Sequence, residues 1–224
     1  MNLMRNDIDL RDRYLNQYKD IYGENIYLSS IGLDKKKNNR IKGGSELTAF
    51  YHLIKDCKDC TYFDATVNLG NGDENSTILF IPESKHQMND DHNKNSLIGE
   101  AGELFDKILA AIKINRKNIY ISNMFKYTIS KNSDSYQSDI KICKYHFQQH
   151  LQLINPSLVV ALGENVGNKM LDKNESIEYW SGRIHKFNNY DLMVTHHPEA
   201  VLKNPNLKKS IWEDFKKIRD NYLN

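Results

Sequence analysis

A chain of 224 residues is long enough for one domain with a sizeable core. An apolar share of 39% and a charged share of 27% are ordinary for a folded globular protein, which sets aside a disordered chain. The formal net charge of +2 excludes a polycation, so nucleic-acid binding would need a local basic patch. No apolar run approaches the roughly 18 residues that mark a membrane-spanning helix, so no membrane partner is expected.

The N-terminus, from Met1 to Tyr14, lacks the apolar core of a signal peptide, and a cytoplasmic location is expected. Ile8, Tyr14, Tyr18 and Tyr22 recur at helical spacing, so residues 5–22 read as a helix. Residues 23–44 are rich in Gly, Asn and Lys and read as a linker or surface loop. Within them, Lys35, Lys36, Lys37, Arg40 and Lys42 form either a basic patch or, as such runs usually do, a solvated loop. The division expected is an extension at 1–44 and a folded domain at 45–224.

Ser45 is a plausible N-cap for a helix through Asp56, with Leu47, Phe50, Tyr51 and Ile54 on its apolar face. Cys57 and Cys60 follow as a C-x-x-C. With Cys143 they make three cysteines, an odd number that argues against a disulfide framework and leaves a metal site or a redox pair open. Asn68–Glu74, NLGNGDE, is a turn-rich loop. The run Ile78, Leu79, Phe80, Ile81 reads as a strand buried on both faces, stopped by Pro82, with Glu83 at its carboxyl end. The stretch 84–98 is mostly polar, and a long loop over a strand's carboxyl end is more often functional than not.

A helix is expected from Gly99 to about Ile112, with Leu104, Ile108 and Ile112 facing the core. Asn118–Asn123 is a second strand, followed by a loop over 124–135 and a long helix from Ser138 to Ile154 that carries Cys143. Ser157–Leu162 is a third strand, and Gly163 turns into a short helix to Leu171. Asp191–Thr195 is a fourth, leading into His196-His197-Pro198, and a final helix covers about Asn206 to Tyr222. Strands alternating with helices predict a three-layer α/β/α fold around a mostly parallel four-stranded sheet.

Ligands bind outside the carboxyl ends of such strands. The loops after Ile81, Ser122 and Thr195 therefore bring Glu83, Asn123 and the His196/His197 pair to one crevice. Glu83 could serve as general base or orient a water; otherwise it is a solvated loop carboxylate. Asn123 could read a pyrimidine edge with its amide; otherwise it caps its loop. Adjacent histidines in extended backbone point to opposite sides, so at most one faces the crevice, where it could stabilise an oxyanion; a structural histidine is the alternative. No H-E-x-x-H, P-loop or G-x-G-x-x-G is present.

From about Leu47 to Ile218 these pieces, in this order, resemble the family 4 uracil-DNA glycosylases. The matching segments are the C-x-x-C, ILFIPE at 78–83 against the family's G-E-x-P-G, IGEAGELFDKIL at 98–109 and NIYISNMFK at 118–126. Cys143, INPSLVVALGENVGNKML at 154–171, THHPEAVLKNP at 195–205 and IWEDFKKI at 211–218 complete the set. The resemblance implies a monomeric DNA glycosylase that excises a flipped base. It puts Glu83 at the catalytic glutamate, Asn123 at the base-reading asparagine, and His197 at the histidine that stabilises the leaving base. It puts Val201 or Leu202 at the apolar wedge that fills the stack, and Ser84, His86 and Leu97 around the base.

Five departures matter. Residues 1–44 have no counterpart in the compact family members and could cap the domain or extend the DNA-binding surface. His86 replaces the last glycine of the motif, near the C5 edge of the base. The loop before Gly99 is about one residue longer than usual. Leu97 replaces a phenylalanine that stacks on uracil, forfeiting roughly 1–3 kcal/mol and making room. Tyr127 stands where the family has the fourth cysteine of a 4Fe–4S cluster, leaving Cys57, Cys60 and Cys143: either a cluster is retained, with His146 as a substitute ligand, or it is lost and the thiols are relics. The expected substrate is a uracil-like or modified pyrimidine, with a hypermodified cytosine of phage DNA, excised in antiviral defence, as one alternative. A non-catalytic DNA-binding relative is the alternative of another class. A lyase nucleophile is not evident, although Lys85 lies in the motif loop.

Overall fold

In the computed structural model the structure describes residues 44–55, 67, 69–83, 97–124 and 136–223. The expected helix at 5–22, the expected linker except Gly44, which opens the first described helix, and Cys57, Cys60, Ser84, Lys85, His86 and Tyr127 lie outside the described residues.

The described elements are α1 (Gly44–Lys55), β1 (Asn71–Gly72), β2 (Ile78–Pro82), α2 (Gly99–Ala111), β3 (Tyr120–Ile121) and α3 (Tyr136–Ile154). There follow β4 (Leu158–Leu162), α4 (Glu164–Leu171), α5 (Ile177–Trp180), β5 (Ile184–Phe187), β6 (Tyr190–Thr195), α6 (Pro198–Lys203) and α7 (Lys208–Tyr222). Each helix expected within these residues is present, with ends moved by a residue or two. No helix among them is long and apolar enough to cross a membrane.

The sheet has six strands rather than the expected four, in the order β1-β3-β2-β4-β6-β5. The central β3, β2, β4 and β6 are parallel, and β1 and β5 are antiparallel edges. Both additions escape a search for apolar runs. Strand β1 is two exposed residues in the glycine-rich loop. A Cβ at Gly72 would come within 2.0 Å of the Ile119 carbonyl, and its φ of +120° suits only glycine, so the close pairing depends on that residue. Strand β5 alternates exposed and half-buried residues, IHKF, and turns back through Asn188, whose φ is +53°.

Pro82 is the last residue of β2 rather than the residue after it. The Ser122 N–H donates to Phe80 O and the Glu83 N–H to Leu162 O, so alternate residues of β2 face β3 and β4. The missing N–H of Pro82 falls on the β3 side, where that ladder ends. Pairing with β4 continues through Glu83.

Five consecutive residues of β2 and of β4 are buried, as two covered faces require. On one face Ile78 and Phe80 pack with Phe105, Ile108 and Leu109 of α2, Val201 of α6, and Ile211, Phe215 and Ile218 of α7. Phe80 stands edge-on to Phe105 and stacks on Phe215, with centroids 5.1 and 5.9 Å away. Over the other face α3 crosses the sheet: its His150 stacks edge-on to Tyr120 of β3, Leu151 O accepts from the Tyr190 hydroxyl of β6, and Phe147 meets Phe187 of β5. Helix α1 packs against α3, with Phe50 stacked on His150. The result is the expected three-layer α/β/α arrangement. Full burial of each such side chain contributes about 1.5–3 kcal/mol.

Candidate active site

The hydrogen-bond ladder runs one residue past the parallel strands. Glu83 N–H reaches Leu162 O (3.2 Å), Gly163 N–H reaches Thr195 O (2.8 Å) and Ser122 N–H reaches Phe80 O (2.9 Å). The backbone beneath the crevice is thereby fixed. Continuing the register Phe80↔Ile121 sets Asn123 opposite Pro82, while Pro82, Leu162 and Thr195 stand level across β2, β4 and β6. Asn123, Glu83, Gly163 and His197 thus follow one another along the sheet, from strands spaced about 4.8 Å apart.

Glu83 is half-buried. Its Oε1 accepts from Asn165 Nδ2 at 2.5 Å. Its Oε2 rests against Gly163, where a Cβ would lie 2.8 Å away and where φ is +109°. Only glycine relieves both the contact and the backbone strain. Glycine at 163 is therefore what lets a carboxylate stand at the end of β2. The loop after β4 is a fourth contributor to the crevice, beside the three expected. The strand-end rule names it as readily as the others, but glycine and asparagine carry no catalytic signal of their own.

Asn123 is half-buried, next to the buried Ser122, whose hydroxyl donates to Leu69 O at 2.7 Å and lies 3.3 Å from His150 Nδ1. His197 is 7% exposed and caps α6: its Nδ1 accepts the Glu199 N–H at 3.2 Å, and Pro198 takes the first helical position. An Nδ1 that accepts an N–H carries no proton, so this bond selects the neutral tautomer with the hydrogen on Nε2. His197 is thereby prepared to donate from Nε2.

His196 is 6% exposed, within electrostatic range of Asp214, Glu178 and Glu164. Burial lowers its pKa, and those three acids partly offset the effect. Asp214 of α7 is 1% exposed, and its Oδ2 accepts from Thr195 Oγ1 at 2.6 Å and from Ser181 Oγ at 2.7 Å. This buried network ties the end of β6, two residues before His197, to α7. An aspartate in an amphipathic helix reads as surface, so the sequence alone does not single it out.

Val201 is 1% exposed within the core, whereas Leu202 is 41% exposed. Leu97 is 2% exposed and belongs to the same core, and its carbonyl accepts from Arg116 Nη2 at 3.1 Å. Cys143 and His146 are both buried and lie three residues apart on α3, hence on one face of it. No cluster of three metal-ligating side chains occurs among the described residues. A cleft of about 790 Å³ lies at the opposite, amino ends of β2 and β3, lined by Ser76, Thr77, Lys113 and Asn118 among others. None of the expected site residues lines it, and strand amino ends are not where such sheets bind ligands.

The family model of the uracil DNA glycosylase superfamily matches residues 69–216, a span that includes every crevice residue named above. Three type-4 uracil-DNA glycosylases are similar over most of their length. That of Sulfurisphaera tokodaii is 30% identical over 73% of this chain and 79% of its own. That of Saccharolobus solfataricus is 28% identical over 75% and 82%, and that of Archaeoglobus fulgidus 26% over 74% and 87%. With the family model covering residues 69–216 and a relative 30% identical over most of both chains, the chain belongs to the uracil DNA glycosylase superfamily.

Proposed function

We propose that the chain is a DNA glycosylase that flips a pyrimidine out of DNA and hydrolyses its N-glycosidic bond, leaving an abasic site. The observation that carries the reading is the succession of Asn123, Glu83 and the Nε2–H tautomer of His197 along the carboxyl edge of one parallel sheet. The Asn123 amide reads the Watson–Crick edge of the flipped base. The Glu83 carboxylate orients the attacking water and accepts its proton. His197 donates from Nε2 to the pyrimidine oxygen on which negative charge grows as the bond breaks. Leu202, exposed on α6, enters the gap in the duplex, while Val201 anchors that helix to the core. Residues 45–224 form this catalytic domain, acting as a monomer on DNA, and residues 1–44 extend it.

An iron–sulfur cluster fits the reading. Cys143 is buried beside His146 on α3, and Cys57 and Cys60 follow α1, which packs on α3 through the Phe50–His150 stack. Those three thiolates with His146 would hold it, and it would brace the domain rather than enter the reaction. Iron and sulfide analysis of anaerobically purified protein tests this, and equal iron content in H146A would remove His146 from the ligand set.

For the substrate, uracil is supported by the activity named for the relatives. A modified cytosine, as in phage DNA, is favoured by Leu97 and His86, which replace an aromatic and a glycine of the family pattern. The decisive experiment scores alkali-labile sites in uracil-containing oligonucleotides, single- and double-stranded, and in DNA with hydroxymethylated or glucosylated cytosine. Cleavage at uracil assigns repair, and cleavage only of modified cytosine assigns defence. Binding without cleavage of any substrate would replace the enzyme with a DNA-binding relative.

A further inference from the structure

Asn165 is the second residue of α4, just past the carboxyl end of β4, and it is exposed. Its bond to Glu83 spans 82 positions of sequence. A carboxylate can only accept, so the amide presents its nitrogen to Oε1 and its oxygen elsewhere. On the opposite side Gly163 leaves the room that Oε2 occupies, since a Cβ there would stand 2.8 Å from it. A glutamate on a loop has three side-chain torsions, the last of them broad, and without such a clamp its carboxylate plane would be free to turn.

We propose that Asn165 is the positioning residue for Glu83. It pins one carboxylate oxygen, so the remaining lone pairs meet the attacking water in a fixed orientation toward the scissile bond. The role rests on the reading of Glu83 as the water-orienting group. Bonded catalytic geometry tolerates little error, and misplacement by about 1 Å costs on the order of 100-fold in rate.

The test is N165D, which keeps the shape, removes the donor and sets a like charge beside Glu83. Aspartate is favoured in the first turn of a helix, so the fold is not at risk. On the best pyrimidine substrate of the wild-type enzyme, the single-turnover rate should fall roughly 10- to 100-fold, while the half-saturating DNA concentration and the melting temperature stay put. In an E83Q background the same change should have no further effect on rate, because the group it positions is already lost. A merely structural role would lower the melting temperature and persist in the E83Q background. Wild-type activity equalled by N165D, or a penalty undiminished by E83Q, overturns the role of Asn165 and leaves the glycosylase reading intact. A wild-type chain inactive on every pyrimidine substrate overturns both.

Discussion

Glu83 and His197 stand at the carboxyl ends of β2 and β6, and the protein holds them by opposite means. Glu83 is held from outside the core, by the exposed amide of Asn165, in room that the glycine at 163 leaves. His197 is held from within: it caps α6 with its own ring, and two residues earlier Thr195 is tied to the buried Asp214. The first arrangement can be altered with little effect on folding. In the second, site geometry and fold stability rest on the same bonds.

The sharpest test compares the two residues directly. E83Q should reduce the excision rate by roughly 10²–10⁴-fold and change unfolding stability by no more than about 0.5 kcal/mol. H197A should reduce the rate by roughly 10²–10³-fold and also cost about 1 kcal/mol through the lost cap. Single-turnover kinetics beside urea unfolding measure both. A larger stability loss in E83Q than in H197A would break the contrast.

Asp214 extends the comparison into the core. D214A strands the buried Thr195 hydroxyl, takes one of two partners from Ser181, whose hydroxyl still meets Ser210, and should cost about 2 kcal/mol. It should also slow excision by freeing the end of β6. Chemical denaturation of D214A and D214N reads the first effect, with D214N losing less because its amide oxygen still accepts.

Neighbouring residues on α6 separate in the same way. V201A, in the core, should cost about 2 kcal/mol and leave DNA affinity unchanged once folded. L202A, on the surface, should leave stability within about 0.5 kcal/mol and weaken binding to substrate duplex. Thermal melts and equilibrium binding distinguish them, and an L202A protein that binds normally would remove the wedge.

The smallest effect expected is a pH dependence from His196. Its folded pKa lies below the ordinary value, so below about pH 6.5 the unfolded chain binds more protons than the folded one. The stability that neutral His196 contributes is thus full above that pH and declines as pH falls toward the folded pKa. H196Q should flatten the decline between neutral and mildly acidic conditions, measured as midpoints of urea unfolding. An unchanged pH slope would place the dependence on other groups.

Much of this was legible in residue order. The apolar runs at 78–81 and 158–162 announce strands covered on both faces, because they are too short for a buried helix and are bounded by Pro82 and Gly163. Their alternation with amphipathic helices determines a parallel sheet, and the sheet determines which loops share an edge. Glu83, Asn123 and His197 follow from that rule together with the resemblance. The edge strands did not follow, because β1 depends on a backbone approach at Gly72 and β5 on a hairpin with an ordinary polar face. Choosing Leu202 over Val201 as the exposed residue needed the packing of α6 against α2 and α7, since two adjacent apolar residues look alike in one dimension. Asn165 and Asp214 also waited for the tertiary structure. Their importance lies in partners 82 and 19 positions away, and a polar side chain announces its partner only when the fold brings the two within hydrogen-bonding distance.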